Sequence, residues 1–142
     1  MRSLKTLIIV AVGIIAMACN NMNEKLAMLD ATPWKLISLE GEANPAFAEE
    51  SDSFVVNFSA SENAIAGVGA CNNFFGTFQV LDGGKIKIEI TGATMMACPN
   101  MELEQPFFDL LNDCDSFDIE NDMLTLMSGD KQIAQFGIHN QE

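Results

Sequence analysis

Basic side chains are scarce in this chain: seven Lys and Arg stand against twenty Asp and Glu, a formal net charge of −13. Arg2 and Lys5 lie in an N-terminal leader, so the remainder carries 7 − 2 = 5 basic residues against 20 acidic ones, or −15. That speaks against a nucleic-acid partner, because a phosphate backbone needs a basic footprint, and against electrostatic docking on anionic lipid. Histidine is nearly absent. A general base needs an orienting group and a nucleophile within reach, and nothing in the sequence nominates either for His139, the one histidine. His139 therefore reads as part of an exposed tail, and the chain as a non-enzyme. No C-x-x-C pair occurs, which with a single histidine argues against zinc. Tyrosine is missing and tryptophan single, yet ten Phe and 49% apolar residues make the sequence globular rather than disordered. No apolar run reaches the about twenty residues of a spanning helix.

The longest such run, Leu7 to Ala18, is twelve residues long and follows the basic Met1–Lys5 segment, the pattern of a secretory leader. Ala16 and Ala18 fit a small-x-small cleavage site, and Cys19 directly behind them resembles the lipobox of bacterial lipoproteins. Ala16 departs from the usual Leu, and Met17 is also unusual there. Each buried CH₂ of an attached lipid contributes about 0.8 kcal/mol, and two chains anchor stably, so a lipidated Cys19 holds a protein on a membrane without a spanning helix. The expected division is 1–18 signal peptide, 19–30 anchor cysteine and polar tether, 31–138 folded domain and 139–142 tail. Removing the leader leaves 142 − 18 = 124 residues, enough for one core. No acidic export run follows Cys19, which favours a periplasm-facing anchor over the cell surface.

Four cysteines are present: Cys19, Cys71, Cys98 and Cys114. With Cys19 lipidated in an oxidising compartment, three remain, for one disulfide and one free thiol. The pairing taken is Cys71 with Cys98, 98 − 71 = 27 positions apart, a loop closure of about 3.5 kcal/mol in the chain-entropy model. Cys114, between Asp113 and Asp115, is then a sluggish thiol.

Around Cys71 lies the densest stretch of the chain, Gly67 to Phe78, with Gly67, Gly69 and Gly76, the amides Asn72 and Asn73, and Phe74, Phe75 and Phe78. It reads as a bent strand-to-strand corner whose three rings need a core. Strands are expected at 32–39, 54–58, 64–69, 76–81, 85–90, 116–120, 123–127 and 132–138, with a polar loop from Glu40 to Ser53. Asp82-Gly83-Gly84 signals a hairpin, and Ile86, Ile88 and Ile90 alternate with charged residues behind it. One helix is expected within 101–112, its regular part starting near Glu104 or Gln105 because proline, here Pro106, is tolerated in a first turn. Phe107, Phe108, Leu110 and Leu111 form its buried face. These elements make an α+β, mostly antiparallel fold: about eight short strands in a curled sheet or partial barrel with one packed helix.

Three constellations invite a metal or a ligand. The acids Asp113, Asp115, Asp118, Glu120 and Asp122 lack the glycine and the spacing of a Ca²⁺ loop and read as a solvated face. Met95, Met96, Met101 and Cys98 offer soft sulfur to Cu(I), but methionine more often fills irregular core space. No cofactor or metal is therefore assigned. Asn72 and Asn73 either pin the corner through side-chain to backbone bonds or aim an amide into a cleft.

In combination these segments resemble the META-domain (HslJ-like) family. The carriers are Trp34-Lys35-Leu36; Gly67 with Cys71-Asn72-Asn73-Phe74, Gly76 and Phe78; Thr94-Met95-Met96-Ala97-Cys98; Glu104, Phe107 and Leu110 or Leu111; and Leu124-Thr125-Leu126 with Gln135-Phe136. Pro106 departs from the helix-friendly residue expected there. The resemblance spans about Ala31 to Ile138 and implies a small barrel-like domain of envelope proteins, often lipid-anchored and linked to stress and antibiotic tolerance, with no established catalytic residues. It marks Trp34, Gly67, Asn72, Asn73, Phe74, Gly76, Thr94 and Met96 as structural or binding positions. The expectation is a monomeric, membrane-anchored interaction or stress-tolerance module that meets another envelope protein. A carrier of a small apolar ligand in the barrel mouth and a protease-inhibitor-like module are the alternatives.

Overall fold

A computed structural model describes residues 21–140. The leader and Cys19 lie outside the described residues. Helix α1 covers 21–31. It is followed by β1 (Trp34–Leu39), the two-residue β2 (Glu42–Ala43), the short α2 (Ala46–Glu49), β3 (Val55–Ser59), β4 (Ala64–Val68), β5 (Asn73–Leu81) and β6 (Lys85–Ala93). Then come α3 (Glu104–Asp113), β7 (Ser116–Glu120), β8 (Met123–Ser128) and β9 (Lys131–Ile138), with 3₁₀ turns at Asp82–Gly84 and Met101–Leu103.

The strands form one antiparallel sheet in the order β2-β1-β3-β4-β5-β6-β7-β8-β9, and β1 also pairs with β9, so the sheet closes on itself. Closure removes edges that would otherwise recruit other strands. The thinnest seam is β6 against β7, where Lys85 opposite Ser116 is the only rung. Beyond that rung α3 and the link after it take over: Asn112 Oδ1 of α3 accepts the Ile90 N–H at 2.8 Å, and Asp115 O of the link accepts that of Ile86 at 3.0 Å. The helix thus stoppers the barrel where its strands diverge.

Alternation explains the inward face. Trp34 and Leu36 of β1, Phe74 and Phe78 of β5, and Ile86 and Ile88 of β6 are buried. The interior is filled by rings meeting edge-on or tilted: Phe54 on Phe107 at 5.5 Å, Phe74 on Phe107 at 5.9 Å, Phe74 on Phe108 at 5.2 Å, and Phe107 on Phe136 at 6.4 Å. Such pairs contribute about 0.5–1.5 kcal/mol each beyond their area. Phe107, on α3, is the hub.

Several expectations need correction. Residues 21–30, read as part of a polar tether, are helical together with Ala31, because Met22, Leu26 and Leu29 recur at helical spacing between polar residues and lie against the core. Trp34 Nε1–H donates to Leu29 O at 3.3 Å, Asp30 Oδ1 accepts the Ala60 N–H at 2.6 Å, and Lys25 pairs with Asp118. The Glu40–Ser53 loop contains β2 and α2, and α2 buries Phe47. β5 begins at Asn73, not Gly76, and its two-residue period turns Phe75 outward, 59% exposed. The Phe75 ring covers Gly92 of β6, where an added Cβ would lie 2.5 Å from it. Ile37 faces out on β1 for the same reason of alternation. His139 is no free tail: its N–H donates to Pro33 O at 2.8 Å, and its largely buried ring stands 3.7 Å from the Asp52 carboxylate.

Candidate functional site

The corner between β4 and β5 is built by close approach. A Cβ on Gly67 would sit 1.9 Å from Val55 O, so the neighbouring backbone admits only glycine. A Cβ on Gly69 would come within 2.8 Å of Glu104 Oε2; its absence lets the first residue of α3 reach under the corner. Gly76 plays the same part at the β5–β6 bulge, where Glu89 O leaves no room for a side chain.

Glu104 is buried, and its carboxylate collects three N–H groups. Oε2 accepts the backbone N–H of Cys71 at 3.2 Å and of Asn72 at 3.1 Å, and Oε1 accepts Asn72 Nδ2–H at 2.6 Å. Three donors and the positive end of α3 offset the loss of water around the anion.

Asn72 has no exposed surface, and its amide is fully used. The second Nδ2 proton goes to Met96 O at 3.0 Å. Oδ1 accepts the Met96 N–H at 2.6 Å and the Thr94 hydroxyl at 2.9 Å. Two donors and two lone pairs are thereby satisfied; a flipped amide would set its NH₂ against the Met96 N–H, so the network fixes its orientation. Asn73, exposed, contributes backbone: its N–H donates to Thr94 Oγ1 at 3.1 Å and its C=O accepts the Thr94 N–H at 2.9 Å. Cys71 and Cys98 are disulfide-bonded with Cα atoms 6.3 Å apart.

The segment that leaves β6 is therefore tied to the corner at Thr94, Met96 and Cys98, while its side chains face water. Met95 is 96% exposed and Met96 54%. The two stretches that meet here carry no charge of their own, with no Asp, Glu, Lys or Arg in 63–81 or in 90–101, and the carboxylate bound to them, Glu104, is buried. In a chain of net charge −13, this end is singular.

Of the positions marked from the sequence, Asn72, Thr94 and Met96 come together in one network beside the Cys71–Cys98 bridge. Trp34, Phe74, Gly67 and Gly76 serve packing and backbone approach. Glu104 and Met95 were not marked. Glu104 was legible in one respect: it shares a helical face with Phe107, Phe108 and Leu111 at i+3, i+4 and i+7, an acid on the buried stripe.

Elsewhere the chemistry is quiet. Burial pushes the Cys114 thiol up from the ordinary 9.0 to about 11, and its S–H donates to Ser116 O at 3.3 Å. Burial lowers the Lys35 ammonium, with Asp52 and Glu50 opposing, and Lys35 donates to the carbonyls of Glu50 and Ser53. Among the described residues no three His, Cys, Asp or Glu side chains are placed to hold a metal ion. A hollow of about 370 Å³ between α3 and the β8–β9 end opens to solvent past Glu40, Asp109, Asp113 and Lys131, a charged rim ill-suited to an apolar ligand.

The model of the META domain matches residues 27–139. The chain belongs to the META domain family. This META domain resembles a solved DUF4847 family protein from Bacteroides vulgatus, at 18% identity and a TM-score of 0.60, covering 80% of this chain and 96% of that one. It also resembles a protein from Burkholderia xenovorans solved by NMR, at 22% identity and a TM-score of 0.64, covering 81% and 86%. At such identities the likeness concerns the fold, and neither description names a reaction. No curated protein matches this META domain.

Proposed function

We propose that this META domain is a non-enzymatic, monomeric interaction module of the cell envelope, anchored by lipid on Cys19, facing the periplasm and serving stress tolerance. It binds another envelope protein through the loop from Thr94 to Asn100. One observation carries the reading: Met95 stands 96% exposed on a segment whose flanking residues are bound to a buried amide and a disulfide. An exposed apolar side chain costs solubility, and holding its backbone still lowers the entropy lost on binding. The barrel interior, filled by phenylalanine rings, lends no support to a carrier.

The test is site-specific photo-crosslinking in living cells, with the reactive residue at Met95 or, as control, at Lys87 on the outer face of β6. A discrete protein adduct at Met95 and none at Lys87 is expected. Equal labelling at both, or none at Met95, would end the proposal. For the anchor, Cys19→Ser is expected to release the protein from membranes; unchanged retention would count against the lipid.

A further inference from the structure

Resting on that reading, we infer that the occupant of this surface is the active-site cleft of a serine protease, with Met95 filling the specificity pocket and the Met95–Met96 peptide lying across the catalytic serine. The loop is tied on both sides of that peptide and free at its centre. Before it, Thr94 is held through its hydroxyl to Asn72 Oδ1 at 2.9 Å and its N–H to Asn73 O at 2.9 Å. After it, Met96 is held at its N–H, 2.6 Å from Asn72 Oδ1, and at its carbonyl, 3.0 Å from Asn72 Nδ2. Two residues on, Cys98 is bridged to Cys71. Between them the Met95 side chain, unbranched and apolar, projects into solvent further than that of Met96.

With a lipid on Cys19, the membrane is not the occupant. Helix α1, which leads back to Cys19, sits at the β5–β6 turn: Met22 lies 3.5 Å from where a Cβ of Gly84 would be. The loop is at the other end of the same two strands. β5 has nine residues, so the two ends are about 30 Å apart at ~3.3 Å per residue. An anchor that leads into α1 leaves the loop at the end of the barrel away from the lipid, toward proteins of the compartment. The absence of charge over 90–101 suits a cleft that must be desolvated on closure.

The hydrogen bonds also say why such a loop blocks a protease instead of feeding it. Attack of the serine hydroxyl on the Met95 carbonyl forms an ester and breaks the peptide bond; the hydroxyl proton passes through the protease's histidine to the Met96 amine. That amine does not diffuse away, because Asn72 and the disulfide hold it beside the acyl carbon at high effective concentration. It attacks the ester, restores the peptide and returns the proton to the serine. The net result is a tight complex and slow turnover.

The experiment takes the oxidised mature protein against purified chymotrypsin, subtilisin and trypsin, with chromogenic peptide substrates and mass spectrometry of the loop. Competitive inhibition of chymotrypsin or subtilisin with a Kd below about 1 μM, and none of trypsin, is expected. Met95→Lys, a change in solvent that leaves the fold alone, should move the inhibition to trypsin. Asn72→Ala should speed cleavage at the Met95–Met96 bond at least about tenfold, or about 1.4 kcal/mol of lost positioning. Absence of inhibition by the wild type together with failure of Met95→Lys to act on trypsin would overturn the inference, as would steady cleavage of the wild-type loop. In either case a crosslink from Met95 to a protein that is not a protease would leave the interaction module standing.

Discussion

Replacing Glu104 by Gln removes one charge and turns one oxygen into a donor, in a site with no use for a donor. The carboxylate meets three N–H groups, from Cys71, Asn72 and the Asn72 amide. Whichever way the new amide turns, its NH₂ faces at least one of them. One buried donor is then unsatisfied, at about 1–3 kcal/mol, and the charge-assisted bonds that survive are weakened. The expected loss is about 2–4 kcal/mol, read as a lower urea midpoint with an unchanged slope. Asn72→Asp alone places a second carboxylate against Glu104. In the double variant the new Gln amide can donate to the new Asp, and the Gln oxygen still serves the two backbone N–H groups; Met96 O and the weakly accepting Met101 sulfur lose their donor. The double variant should therefore be less destabilised than the sum of the single ones, a favourable coupling of at least about 1 kcal/mol in the cycle. A Glu104→Gln protein within about 0.5 kcal/mol of wild type, or additive single changes, would refute this account of the corner.

Other outcomes follow from the same structure. Reducing the Cys71–Cys98 bridge, whose sequence separation is 27, should cost about 3.5 kcal/mol; an unchanged melting temperature would rule it out as a stabiliser. Cys114 has its pKa raised from 9.0 to about 11 by burial, so its contribution is fully present below pH 9.0 and is lost as pH climbs through about 11. Cys114→Ala should flatten that alkaline fall, and in the native protein at neutral pH Cys114 should resist iodoacetamide until the chain is unfolded. Leu29→Ala should cost about 2–4 kcal/mol if α1 is part of the fold, and under about 0.5 kcal/mol if it is a tether; chemical denaturation decides.

What was legible in the sequence was whatever repeats along a strand or is punctuated by glycine. Ile86 and Ile88 announced the inner face of β6, and Asp82-Gly83-Gly84 its turn. Phe75 was misjudged by its type: its neighbour Phe74 held the inward position, and a strand has only one inward parity. The helix over 21–31 was hidden because its apolar residues are few and separated by Asn, Glu and Lys, so that composition suggested a linker where spacing would have shown a stripe. The Glu104–Asn72 network was out of reach for another reason. Its members are 32 residues apart, and no local pattern says that two polar side chains will be buried on each other; only the closed sheet brings α3 beneath the corner.

The bond from the Trp34 indole to Leu29 O has a practical side. The chain contains one Trp and no Tyr, so its near-ultraviolet emission has a single source of consequence, placed where α1 meets the barrel. A buried, hydrogen-bonded indole emits at short wavelength and shifts to the red when water reaches it. Fluorescence from the unmodified protein is thus a gauge of whether α1 is docked. If the domain is held by Cys19, tension arriving along the chain from the membrane would reach Leu29 before the rest of the barrel, and Trp34 would report it first.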